Sequence, residues 1–170
     1  MNLADAIRTR RTTKAFGAEP LDRETVEELL DLARWAPNHE LTNPWRFHVL
    51  GPAALERLKA AAGPDAAKKL DRAPTLIAVG AVRSPDDPVR DEEDLLAAGC
   101  SAYIVLLAAH DRGLSSYWRT PAVLRTPAGR AALGIPDDER VIGLLHLGPK
   151  RQEQAPPERE PLANVVRWLD

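Results

Sequence analysis

The feature that most constrains the fold of this chain is a long helical pattern from Asp91 to Arg112. Acidic residues crowd its start and Gly113 follows its end, an arrangement that suits the helix dipole and a C-terminal cap. Between residues 95 and 109 the pattern is apolar on almost every face. Because such a helix is buried on several sides, we predict a central helix of the domain. Cys100 lies within it and is predicted to be a small core residue.

Shorter helices and strands alternate irregularly around this helix. Helices are indicated by apolar residues at helical spacing, by capping residues such as Asp22 and Thr126, and by stops at Pro37 and Gly134. No glycine-rich turn follows a first strand, which argues against a Rossmann unit. The order predicts a single α+β domain, residues 1–170, with a mixed central β-sheet flanked by helices. The shorter predicted helices are 3–9, 22–36, 53–62 and 127–133; the predicted strands are 45–50, 75–82 and 140–147, and 114–118 is either a strand or a loop.

Composition and charge exclude several classes of function. The 23 Lys and Arg residues nearly balance 25 Asp and Glu residues, for a formal net charge of -2, which argues against a broad surface for nucleic acid or an anionic membrane. A single cysteine excludes an intramolecular disulfide and fits a reducing compartment. The N-terminus lacks the order of a signal peptide, and the longest apolar run is too short to span a bilayer. We therefore expect a soluble, cytoplasmic protein with no nucleic-acid or membrane partner.

Side-chain chemistry offers no obvious catalyst. The four histidines lack metal-ligand spacing and a cysteine partner, so no metal site is predicted. No nucleophile elbow surrounds a serine. The tripeptide Gly148-Pro149-Lys150 lacks the upstream glycine and the hydroxyl residue of a Walker loop. We therefore predict no catalytic side chain and expect an organic cofactor to carry the chemistry.

A basic segment, Arg10-Arg11-Thr12-Thr13-Lys14, ends the first predicted helix. A guanidinium fork matches a phosphate or a ring with several carbonyl groups, and hydroxyls supply the shorter contacts around it. A solvated helix end, where basic residues suit the dipole, is the alternative interpretation. Taken alone, the segment leaves both interpretations open.

Three groups of segments, in a fixed order, resemble the FMN-dependent nitroreductase family. The first is IRTRRTTKAF at residues 7–16, which is similar to the family's opening Arg-Arg/His-Ser-x-Lys/Arg-x-Phe signature. The second is APNHELTNPWRF at residues 36–47, which resembles its Ala-Pro…Asn/Gln-Pro-Trp-x-Phe loop and strand. The third comprises GLSSYWRT at 113–120, LGIP at 133–136 and VIGLLHLG at 141–148. The chain is most similar to the short branch of NAD(P)H nitroreductases, in order and spacing from residue 7 to residue 148.

This resemblance implies a nitroreductase-like fold and an intertwined homodimer with FMN bound at the subunit interface. Arg10, Arg11 and Thr12 would hold the phosphate, ribityl and pyrimidine edges of FMN. Lys14 would lie near the electron-rich end of the ring system. From the partner subunit, His39 would approach the isoalloxazine, with Trp35 close to it. The remaining implied contacts are Trp118, Arg119 and Thr120 on the far side, Arg119 being a second candidate for the phosphate.

The resemblance also implies an activity. NADH or NADPH delivers hydride to flavin N5 and leaves, and a small acceptor such as a nitroaromatic or a quinone then enters the same space. The connections at 63–74 and 82–91 are short, whereas larger members carry extra helices that cover the flavin, so the pocket here is expected to be open. Two other classes remain as alternatives: a flavin-binding storage or sensor protein with little turnover, and a structural dimer that has lost FMN.

The C-terminal segment predicts assembly independently of the family. Four prolines at positions 149, 156, 157 and 161 suppress helix and favour extended backbone over an arm of residues 149–170. Beyond them lies an apolar cluster, Val165, Val166, Trp168 and Leu169. An exposed cluster of this kind is unusual on a monomer, so we expect the arms of a homodimer to pack on one another's subunits.

Overall fold

The computed structural model describes residues 1–169. Its elements follow the order expected from the capping and turn residues. The helices are α1 (Leu3–Thr9), α2 (Arg23–Ala33), α3 (Pro52–Ala62), α4 (Pro64–Ala67), α5 (Pro88–Asp111), α6 (Pro127–Leu133) and α7 (Leu162–Val165), with 3₁₀ turns at His39–Leu41 and Ala122–Arg125. The strands are β1 (Trp45–Val49), β2 (Thr75–Val82), β3 (Leu114–Arg119) and β4 (Glu139–Pro149).

The four strands form one sheet in the order β1-β2-β4-β3. Every neighbouring pair is antiparallel, with Ile77 opposite Leu145 and Tyr117 opposite His146. The α+β class is therefore confirmed. Parallel pairing, which the expected mixed sheet also required, is limited to a single bridge between Thr12 and Ser116 in the described chain.

Helices cover both faces of the sheet. Successive strand residues point to opposite faces, so Ile77 and Leu145 pack with α2 and α5, whereas Leu76 and Leu144 pack against Leu58 of α3 on the other side. The buried residues thus form separate clusters on the two faces of the sheet. Trp45 is buried, and Phe47 is partly buried and packs against the same cluster.

Helix α5 is buried on one side only, which corrects the prediction for Cys100. Leu96, Cys100 and Tyr103 are all exposed, and their spacing places them on the helix face that points away from the sheet. We call these three residues the apolar stripe. The length and composition of α5 would also suit a membrane span, but half of its apolar window is buried within the fold.

The basic segment leaves α1 and runs along the free edge of β3. The backbone N–H of Thr13 donates to the Ser116 carbonyl over 3.2 Å, and that of Gly17 donates to the Pro149 carbonyl over 2.8 Å. Phe16 then enters the core. These contacts fix the extended backbone that carries residues 10–14 beside β3 and the end of β4.

Candidate functional site

A cavity of about 550 Å³ lies between the end of α1, the start of β3 and the chain that follows β4. Its wall combines residues that are far apart in the sequence. We call it the anion pocket; the wall residues that matter below are Arg11, Thr13, His110, Ser115 and Lys150.

Several polar groups in the wall of the anion pocket are buried without a partner. The side chains of Thr13 and Ser115 are 4% and 2% exposed, and neither hydroxyl makes a hydrogen bond within the described chain. The Nε of Arg11 is also buried without a hydrogen-bond partner among the described residues, while its Nη1 donates to the Arg10 carbonyl over 2.7 Å. An unsatisfied buried polar group costs about 1–3 kcal/mol. Hydrogen bonds from a polar ligand or from water would satisfy these groups.

The charges around the anion pocket favour a negative ligand. Burial, followed by the positive charges of Lys150, Arg10 and Arg11, lowers the pKa of His110 below its usual value. Its Nε2 lies 2.8 Å from the Thr9 hydroxyl. Lys150 is partly neutralised by Glu153, 2.6 Å away. A neutral imidazole surrounded by cations marks a region of positive potential.

The other predicted residues of the basic segment lie along the same edge. Arg10 is half-buried, with its guanidinium carbon 5.9 Å from the Tyr103 ring centre. Thr12 is exposed. Lys14 places its Nζ 5.8 Å from the Tyr117 ring centre. The structure thus brings the predicted residues 10–12 and 14 together beside β3.

Trp118, Arg119 and Thr120 lie at the opposite end of β3. The Nε1–H of Trp118 donates to the Ile142 carbonyl over 3.4 Å, and its ring crosses Gly143 so closely that a Cβ there would overlap it. The α-carbons of Ser115 and Arg119 are about 13 Å apart along the strand, at roughly 3.3 Å per residue. Arg119 does not line the anion pocket.

Arg119 instead lies beside a fully buried histidine, His146. One guanidinium nitrogen of Arg119 and both ring nitrogens of His146 lack hydrogen-bond partners within the described residues. Burial, followed by the charges of Arg119 and Arg72, lowers the pKa of His146 to about 4. The imidazole is consequently neutral at neutral pH.

Trp35 and His39 lie on the loop between α2 and β1, and neither lines the anion pocket of its own subunit. Trp35 is largely exposed, with the Arg34 guanidinium 5.7 Å from the centre of its ring system. His39 has a side chain that is 63% exposed and hydrogen-bonded to Glu93. Both residues project outward.

Sequence reasoning missed Thr13, His110, Ser115 and Lys150. Lys150 does have a signal, since it follows a glycine and a proline at the end of an apolar strand, although that tripeptide does not match a Walker loop. His110 lies in the last turn of α5, where a basic residue suits the helix dipole and does not by itself mark a site. No local pattern marks Ser115, because its importance comes from its position opposite the basic segment.

The chain is similar to known proteins of one family. Residues 7–149 match the model of the nitroreductase family. The "Putative NAD(P)H nitroreductase YdjA" of Escherichia coli is 28% identical over 162 residues, covering 87% of this chain and 88% of that protein.

Two solved structures share the fold. The nitroreductase-like family protein from Bacillus cereus has a TM-score of 0.90 at 22% identity, covering 99% of this chain and 96% of that one. The "putative nitroreductase in complex with fmn" from Desulfovibrio desulfuricans has a TM-score of 0.83 at 25% identity, covering 100% and 98%. With a family match over most of its length and this shared fold, the chain belongs to the nitroreductase family.

Proposed function

We propose that this protein is an FMN-dependent NAD(P)H oxidoreductase and that the anion pocket holds the phosphate of FMN. The observation that carries the proposal is the set of unpartnered buried groups, Thr13, Ser115 and Arg11 Nε, in a pocket whose charges are mainly positive. Support also comes from a similar structure described in complex with FMN.

The residues present fit a phosphate group at this position. Arg11 and Lys150 supply charge, and the hydroxyls of Thr13 and Ser115 supply hydrogen bonds. Charge-assisted hydrogen bonds of this kind offset the cost of removing a phosphate from water. Release of the Lys150–Glu153 ion pair would make the ammonium group fully available.

From the pocket, the remaining cofactor contacts follow the edge of β3. Arg10 and Thr12 would contact the ribityl chain, and Lys14 would place its positive charge near the pyrimidine edge of the ring. Trp118, Arg119 and Thr120 would line the far end. When bound, FMN supplies the redox chemistry, accepting hydride from NADH or NADPH and passing electrons to an acceptor. The side chains bind, orient and polarise it, and none acts as an acid or a base.

The electron acceptor is proposed to be a small nitroaromatic or quinone. The name of the Escherichia coli relative, a nitroreductase, supports a nitro compound. The short connection between β2 and α5, only five residues at 83–87, also supports an open site, because it carries no extra helix that could cover the flavin. An open site accepts flat aromatic molecules of differing width. We place the activity in the cytoplasm, which cell fractionation with an antibody against the protein can test.

We infer a homodimer from apolar surface that one subunit leaves exposed. Besides the apolar stripe of α5, the neighbouring helix α1 exposes Leu3 and Ile7, which share one helix face. Exposed apolar residues on two neighbouring helices are typical of an interaction surface. It is adjacent to Arg10, so a second copy on this face would approach the cofactor residues.

The C-terminal arm supplies a second part of the proposed interface. From residue 150 to residue 161 it has no helix or strand, and Trp168 is 92% exposed. An apolar groove of about 480 Å³ lies between α2 and the edge strand β1, lined in part by Leu30 and Val49. We propose that this groove receives the apolar end of the partner's arm.

Flavin titration tests the cofactor assignment. Wild-type protein should purify yellow or bind added FMN with quenching of its fluorescence, and it should then oxidise NADH or NADPH. Arg11→Ala should weaken FMN binding roughly ten- to a hundredfold, since it removes a charged hydrogen bond worth about 1.5–3 kcal/mol. Lys68→Ala, which removes an exposed cation just after α4, lies outside both the anion pocket and the groove; it is the control and should bind normally.

The alternatives have distinct outcomes in the same experiment. A protein that binds FMN but oxidises NAD(P)H negligibly is a storage or sensor protein. A colourless protein that ignores added FMN is a structural dimer. Light scattering on the wild type tests the assembly, and a monomer that retains FMN would refute the shared interface.

A further inference from the structure

The loop between α2 and β1 holds an unusual conformation. Glu40, Leu41 and Asn43 have φ angles of 51°, 54° and 47°. Residues other than glycine rarely adopt this left-handed region, at a cost of order 1–3 kcal/mol each. Such a conformation persists only where surrounding contacts hold it.

The start of α5 supplies two of these contacts. His39 Nδ1 lies 2.7 Å from Glu93 Oε2, and the Thr42 hydroxyl donates to Asp94 Oδ1 over 2.5 Å. Inside the loop, the backbone N–H of Asn43 donates to Asn38 Oδ1 over 2.9 Å. Consecutive acidic residues of one helix therefore determine where the loop lies.

The contact with Glu93 also determines how the His39 ring faces. A carboxylate can only accept hydrogen bonds, so His39 Nδ1 carries the hydrogen that it donates. The other ring nitrogen, Nε2, makes no hydrogen bond among the described residues, and the side chain is 63% exposed. The ring thus presents Nε2 to the surroundings in a fixed direction.

We propose that Glu93 is a positioning residue that orients His39 toward the FMN bound with the partner subunit. This proposal rests on the proposed function, because it requires FMN at the interface. Glu93 itself touches neither FMN nor substrate in this arrangement. It acts only through His39.

The charges around His39 favour its cationic form. The hydrogen bond and negative charge of Glu93 raise the pKa of His39 above its usual value; Glu40 adds to this, and Arg90 opposes it. Asp87 lines a small cavity together with His39 and Glu93, and Asp94 follows Glu93 on α5. A cation near the flavin ring raises the reduction potential of the cofactor. Glu93 would thereby tune the potential from a distance.

A double-mutant cycle tests this role. Glu93→Gln keeps a hydrogen-bond acceptor but removes the charge, and His39→Asn removes the imidazole. Glu92→Gln, an exposed neighbour on the same helix turn, is the matched control. For each protein, NMR measures the titration of the His39 ring, and spectroelectrochemistry of the FMN-loaded protein measures the midpoint potential.

The expected result is a lower His39 pKa and a lower flavin midpoint potential in Glu93→Gln, with both unchanged in Glu92→Gln. In the His39→Asn background, Glu93→Gln should have no further effect on the potential. An equal shift in both backgrounds would overturn the positioning role, although FMN binding and NAD(P)H oxidation would still support the proposed function. A wild-type protein without FMN binding would overturn the proposed function itself, and this role with it.

Discussion

Protonation of the buried His146 should make folding stability fall steeply as the pH drops below about 6.5. The folded protein holds the pKa of His146 at about 4, whereas the ordinary value is 6.5. Between these values the unfolded chain binds a proton that the folded protein does not. Stability therefore rises with pH across this window and is lost as the pH falls.

The size of the effect follows from the two pKa values. Their difference corresponds to about 3 kcal/mol once the pH is below both, at about 1.4 kcal/mol per unit. At pH 5 the stability lost relative to neutral pH should be about 2 kcal/mol, because His146 is then mostly protonated in the unfolded chain and still mostly neutral in the folded protein. This is a large fraction of the typical stability of a domain.

Urea unfolding at fixed protein concentration, at pH 7.5, 6.5, 5.5 and 5.0, measures the effect. His146→Leu removes the titrating ring while keeping an apolar side chain of similar size in the core. Other titrating groups remain in both proteins, so the difference between the two pH profiles isolates His146. Arg72→Gln, at an exposed position, removes a positive charge that lowers the pKa of His146. The pKa of His146 in the folded protein should therefore rise, and the pH range over which stability is lost should become narrower. Parallel profiles for the wild type and His146→Leu would refute the reasoning.

Three further predictions concern the anion pocket and the interface. The pair Thr13→Val and Ser115→Ala should weaken FMN binding about tenfold or more in fluorescence titrations, while the apo-protein keeps its stability because unsatisfied hydroxyls are removed. Deleting residues 162–170 should weaken the dimer and FMN retention, and light scattering that finds the dimer intact would contradict the role of the arm. Cys100 should react with a thiol reagent faster as the protein is diluted, since dimerisation would cover the apolar stripe; a rate independent of concentration would place the interface elsewhere.

Local sequence signals predicted most element boundaries because the interactions that set them are local. The Asp22 side chain accepts a hydrogen bond from the Thr25 N–H over 2.7 Å, and Thr126 caps α6 in the same way through the Gly129 N–H. Gly134 ends that helix with a φ of 66°, a value that glycine adopts without strain. Strand β2 was predicted over its whole length, because burial on both faces requires a continuous apolar run.

The direction in which α5 faces could not be predicted in the same way. Its apolar residues surround the helix, so no polar stripe in the sequence marks the face that points to solvent. The packing of α2 and the sheet on one side left Cys100 and Tyr103 exposed. The proposed dimer gives a reason for the exposure of this apolar stripe, because the partner subunit would cover it.

The sequence by itself determined the α+β class, the family and the basic segment, because these depend on local patterns and on motifs in a fixed order. Only the tertiary structure decided which residues form the anion pocket, since strand pairing brings Thr13 to Ser115 and Lys150, which lie about a hundred residues or more further along the chain. It also placed the half-buried Arg119 outside that pocket and near His146. The physical reason is that caps and turns depend on neighbouring residues, whereas an unpartnered hydroxyl or a shifted pKa depends on everything packed around it.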